Sequence, residues 1–196
     1  MTDKKTNGFY APDDDYTIPS TSSYMEFKQG DNRFRILGSF AEGTAVKGVE
    51  YWTEEDGQGV PHRIKPNETI PPHKPRMGKY GVDKPKFFWA FPVWNYQENK
   101  IQILEIRQVS ILETIKKVID NPKWGDPRDY DFIVTRQEEG GKTVYTVTNN
   151  PKEKLDTTII DLYITTKIDM QAWMDGDDPF AANAEEIADA AHKALG

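Results

Sequence analysis

Cysteine is absent from the 196 residues. That excludes disulfides, thiol nucleophiles, zinc ribbons and thiolate-held iron–sulfur clusters. Histidine is almost as scarce: His62, His73 and His192 are too few to build a transition-metal centre from imidazoles. No apolar run approaches the ~20 residues that a membrane helix requires, and the polar first residues lack an apolar signal segment. No glycine-rich phosphate loop, nucleophile elbow or zincin helix appears. These absences predict a soluble protein of the cytoplasm, non-catalytic, without metal or cofactor. An excess of basic residues is missing too. The formal charge is −7 at pH 7, which taken as one number speaks against a polyanionic partner.

The distribution of that charge alters the reading. Residues 1–19 set Asp3, Asp13, Asp14 and Asp15 against Lys4 and Lys5. Residues 169–196 set Asp169, Asp175, Asp177, Asp178, Glu185, Glu186 and Asp189 against Lys193. The body between these acidic ends is close to neutral. Screening over ~8 Å at physiological salt keeps a remote acidic tail from cancelling a basic surface. One stretch is strongly basic: Arg63, Lys65, Lys74, Arg76, Lys79, Lys84 and Lys86 oppose Glu68 and Asp83.

Periodicity and turn chemistry divide the chain into three parts. Residues 1–22 read as a disordered arm with two prolines and little to bury. Residues 23–168 read as one domain. Strands are expected around Phe34-Arg35-Ile36-Leu37 and over residues 44–53. Residues 61–86, with Pro61, Pro66, Pro71, Pro72, Pro75 and Pro85, read as one long loop. A hairpin follows over 87–96 and 101–107. Ile111, Ile115, Val118 and Ile119 predict a helix over 110–119, ended by Asn121-Pro122. A second hairpin is expected over 132–136 and 143–148, and a last strand or short buried segment over 157–166. Residues 169–196 read as an acidic tail, with an amphipathic helix over 182–195. The fold class expected is mainly β: an OB-type five-stranded barrel with an inserted helix, long loops and flexible acidic tails.

The strand over 86–96 carries the strongest functional signal. Alternation puts Phe87, Trp89, Phe91, Val93 and Asn95 on one face and Phe88, Ala90, Pro92, Trp94 and Tyr96 on the other. Both faces are aromatic, so either the strand is buried on two sides or one set of rings is an exposed platform. An open platform beside a basic loop suits single-stranded nucleic acid, whose bases stack on rings while cations hold the phosphates. Arg33, Arg35, Lys47 and Arg107, on neighbouring strands, extend the set of candidate cations. Asp126, Asp129 and Asp131 suggest a hard-cation site, but the Gly125-Asp126-Pro127 context reads as turn chemistry, without an EF-hand spacing or a nearby base. In the tail, Asp175, Asp177 and Asp178 with Pro179 and Phe180 offer phosphate-like charge and an apolar anchor. They suit an autoinhibitory competitor or a docking peptide for a protein partner.

Together these stretches resemble a family. Gln29-Gly30-Asp31-Asn32-Arg33-Phe34-Arg35-Ile36-Leu37, residues 84–96, 101–106 with the following helix, 124–131, Tyr145-Thr146-Val147 and Asn150-Pro151-Lys152 are similar to the OB-fold single-stranded DNA-binding proteins of tailed bacteriophages, of the helix-destabilising type. The likeness spans residues 24–165. It implies sequence-independent coating of single strands in phage DNA replication, recombination and repair, inside the infected host. It also implies Lys84, Lys86, Phe88, Trp89, Trp94 and Tyr96, with Arg35 and Arg107 nearby, as binding residues. The zinc ion of some such proteins does not carry over, because its cysteines are missing. Asp177-Asp178-Pro179-Phe180 is similar to the acidic tip of bacterial single-strand binding proteins, through which replication or recombination partners would be recruited. There the tip ends the chain, whereas here residues 181–196 follow.

Overall fold

The computed structural model describes residues 22–79 and 81–182. The expected arm over 1–22 (Ser22 apart) and the helix expected over 182–195 (Ala182 apart) lie outside the described residues. The architecture is mainly β. One mixed sheet runs β1 (Tyr24–Met25), β8 (Lys100–Ile106), β7 (Lys86–Asn95), β2 (Gly30–Ile36), β9 (Asp131–Glu139), β10 (Lys142–Asn149). All neighbours are antiparallel except β1 beside β8. The long β3 (Val46–Glu55) pairs with the first half of β7 and, on its other side, with β4 (Gln58–Ile64). Turn chemistry sets these hairpins. Asp56-Gly57 and Gly140-Gly141 all have positive φ, as two-residue hairpin turns demand.

Helix α1 (Val109–Asp120) is inserted between β8 and β9, over the expected span. Its Ile111, Leu112, Ile115 and Val118 are buried against Phe34, Ile36, Phe91, Val93, Leu104, Ile106, Phe132 and Val134. This is the main core, on one face of the sheet.

The opposite face carries a second, smaller core. Phe88, Ala90 and Ile103 meet Met170, Trp173 and Met174 of α3 (Met170–Asp175). Asp169 caps this helix by accepting from the amides of Gln171 and Ala172, and Gly176 ends it at φ 91°. Trp173 lies edge-on to Phe88 with ring centroids 5.6 Å apart. Gly48 is required beneath the contact, since a Cβ there would fall 2.4 Å from the Ile64 carbonyl and 2.8 Å from the Phe88 ring.

Three expectations are corrected. Residues 61–86 are not one loop: β4 runs through Pro61 to Ile64, and β5 (Met77–Gly78) and β6 (Gly81–Val82) form a small separate ribbon. Pro61 is tolerated because β4 is an edge strand that, among the described residues, pairs with β3 alone. Residues 157–166 form neither a strand nor a buried segment, but the exposed helix α2 (Thr157–Thr166). Asp156 caps it by accepting from the Thr158 amide, and Thr165 and Thr166 donate back to the carbonyls of Asp161 and Leu162. These local bonds override the β preference of the branched side chains. Finally, residues 169–180 are no loose tail, because α3 supplies half of the second core.

Candidate nucleic-acid interface

Strand β7 is covered on both faces, but by different elements along its length. At its start Lys86 and Phe87 are exposed while Phe88 is fully buried under α3. Phe91 and Val93 point into the main core, and Trp89, Trp94 and Tyr96 stay half-exposed. Accessible rings therefore remain at the two ends of the strand, on opposite faces.

At the first end, Phe87 is 66% exposed, opposite Val49 of β3. Lys84 and Lys86 precede it in the chain. Both are exposed, and neither has an ion-pair partner among the described residues. On the same face Trp89 lies opposite Lys47 and packs edge-on against Phe40, centroids 5.5 Å apart. The Lys47 ammonium stands 5.4 Å over the Phe40 ring. The result is a strip of rings, Phe87, Trp89 and Phe40, bordered by lysines that form no ion pair among the described residues.

At the other end, Trp94 and Tyr96 meet edge-on at 6.5 Å and 86°. The Tyr96 hydroxyl donates to Asp131 Oδ1 at 2.9 Å, and the Arg33 guanidinium lies 4.1 Å over the Tyr96 ring. Burial, followed by the bond to Asp131, raises the Tyr96 pKa above the ordinary phenol value. Arg33 is also hydrogen-bonded to Asp131, with Nε at 2.8 Å, and this bond is what raises its pKa.

The remaining residues expected at a binding surface are placed as follows. Arg35 is 1% exposed. Its Nε donates to Asp131 at 2.5 Å and its Nη1 to the carbonyls of Arg128 and Glu153, at 3.1 and 3.0 Å. It is a structural cation out of reach of a ligand, because Asp131 sits directly across from it on β9. Phe88 is likewise a core ring and no platform. Arg107 bonds Glu105 and Glu50, at 2.7 and 2.8 Å. Arg63 donates to the Trp173 carbonyl at 3.1 Å and stacks 3.9 Å over that indole. Arg76 pairs with Asp83 at 2.6 Å and stacks 3.6 Å over Trp52; Lys74 pairs with Glu54. Carboxylates on β3 and at Asp83 thus hold part of the expected basic surface. Lys65 and Lys79 are exposed.

The aspartates around 126–131 each hold a cation of their own. Asp126 pairs with Arg128, Asp129 with Lys152, and Asp131 with Arg33 and Arg35. The hydrogen bonds from Arg128 depress the Asp126 pKa. In the tail Asp175, Asp177 and Asp178 are exposed, but Pro179 is buried and Phe180 packs against the second core. The expected apolar anchor is therefore docked on the protein itself, and the Asp169 amide donates to the Pro179 carbonyl at 2.9 Å.

Comparison with known protein families finds no matching family model, and comparison with curated proteins finds no matching sequence. The geometry alone therefore carries the site. Sequence reasoning singled out Trp89, Trp94, Lys84 and Lys86 but chose Phe88 over Phe87. The signal that favoured Phe87 was its place on the Trp89 face, opposite the face that holds Ala90 and Pro92. Phe40 was missed, because it lies in a loop without periodicity.

Proposed function

We propose that this chain binds single-stranded nucleic acid along the Phe87–Trp89–Phe40 strip, with Lys47, Lys84 and Lys86 on the phosphates. The observation that carries the reading is Phe87, a large ring left in water just after two exposed lysines that form no ion pair among the described residues. Leaving such a ring exposed forfeits its burial, and stacking on a base at about 1–3 kcal/mol recovers it. The sheet order supports an OB-type reading: β8, β7, β2, β9 and β10 are consecutive neighbours, with α1 inserted between β8 and β9. In that reading β3 and β4 elaborate the connection between the first two strands of this five-strand set, where oligonucleotide-binding loops lie.

The Trp94–Tyr96 end is secondary, since Arg33 already covers the Tyr96 ring. It lies about 23–30 Å along the strand from Phe87, on the other face. With the family resemblance, the reading extends to sequence-independent coating of single-stranded DNA during phage replication, recombination and repair in the host cytoplasm, without catalysis.

The experiment is a titration of tryptophan fluorescence with oligo-dT, repeated with oligo-rU and at rising salt. Quenching that weakens with salt is expected. Absence of binding at low salt would overturn the proposal.

A further inference from the structure

Among the described residues the sheet has three outer edges, and they differ. β1 is two residues long, and β4 is interrupted by Pro61; both are poor templates for a further strand. β10 is neither short nor interrupted. Its eight residues contain no proline and a single charge, Lys142, and among the described residues it pairs with β9 alone. Val144, Thr146 and Thr148 are exposed, and Tyr145 and Val147 only half-buried.

The turn at Gly140-Gly141 fixes which backbone groups face outward. A two-residue connection makes Glu139 and Lys142 a hydrogen-bonded pair, and pairs alternate along an antiparallel ladder. The N–H and C=O groups of Thr143, Tyr145, Val147 and Asn149 therefore point away from β9. None of them has a partner among the described residues.

We infer that β10 pairs with β10 of a second copy of this chain, antiparallel about a two-fold axis. The strand is self-complementary in one register. With Thr146 on the axis, Thr143 faces Asn149 of the second copy, Tyr145 faces Val147, and Val144 faces Thr148. Every residue over 143–149 is then paired, and all four outward residues lie in hydrogen-bonded pairs. Lys142 falls outside this block, so no like charges meet. β2 and β9 separate this edge from β7, so association leaves the proposed nucleic-acid strip open. An edge contact of this size forms a reversible dimer.

The absence of cysteine makes the register testable on the full chain. Thr146 and its symmetry mate form a non-hydrogen-bonded pair, with Cα atoms about 4.5 Å apart, within disulfide reach. Oxidised T146C is expected to run as a covalent dimer on a non-reducing gel, and V144C as a monomer. Sedimentation equilibrium of the unaltered protein, without nucleic acid, is expected to show a monomer–dimer equilibrium. T146K should weaken it at least tenfold by setting two lysines face to face, with unchanged circular dichroism. T143P, which removes one outward N–H, is a second edge-blocking variant should T146K fold poorly. The inference is overturned by a monomer at all concentrations, by any crosslinking pattern other than T146C over V144C, or by association indifferent to both edge variants.

Discussion

Phe87 and Phe88 are neighbours in the chain and opposites in the fold: the first is 66% exposed, the second fully buried against Trp173. The strand turns successive side chains to opposite faces, and only one of those faces has α3 upon it. The pair separates binding from stability. Phe87→Ala is expected to lower oligo-dT affinity by about 1–3 kcal/mol, with stability within about 0.5 kcal/mol of the parent. Phe88→Ala is expected to cost about 3–5 kcal/mol of stability. Fluorescence titration and urea unfolding of both variants check this.

Lys84 and Lys86 are expected to act through phosphates alone. Replacing each with alanine should flatten the slope of log affinity against log salt by about 0.7, without changing sequence preference. An unchanged slope would remove both lysines from the interface.

Asp131 is buried beneath Arg33, Arg35 and Tyr96. Arg35→Ala leaves that carboxylate with its inner partner gone, and is expected to destabilise the fold by about 3–5 kcal/mol. Thermal unfolding measures the loss. Oligonucleotide affinity, read where the variant is still folded, is expected to be unaltered, because Arg35 does not reach the surface.

The Asp126–Arg128 pair gives a signed pH dependence. Asp126 has a lowered pKa in the fold, so its contribution is complete above the ordinary carboxylate pKa. It is lost as pH falls through the depressed folded value. Asp126→Asn should therefore flatten the acid limb of a stability–pH curve, lowering stability slightly at neutral pH and leaving it near that of the parent at the acid end. The carboxylate is partly exposed, which keeps the effect small.

Truncation locates the boundary of the fold. Ending the chain after Ala182 keeps α3 whole and gives the reference unfolding temperature. Ending it after Lys167 removes Met170, Trp173 and Met174 from the second core and should lower that temperature sharply. Equal stability of the two would show that α3 is dispensable.

The hairpin of β9 and β10 and the helix α1 were determined by the sequence itself. Gly140-Gly141 supplies positive φ at two adjacent positions, and Ile111, Ile115 and Val118 recur at helical spacing. Such signals act between near neighbours and survive in any context. The two-faced aromatic pattern of β7 was legible for the same reason. What alternation leaves open is which face is covered. That was decided by Trp173 and the Asp169 cap, far along the chain, in a segment whose acidic composition reads as a tail. Arg35 was likewise fixed by Asp131 across a strand pairing, and the basic stretch was partly neutralised by Glu50 beside Arg63, by Glu54 and by Asp83. Burial and ion pairing depend on who lies opposite, and only the tertiary structure chooses that.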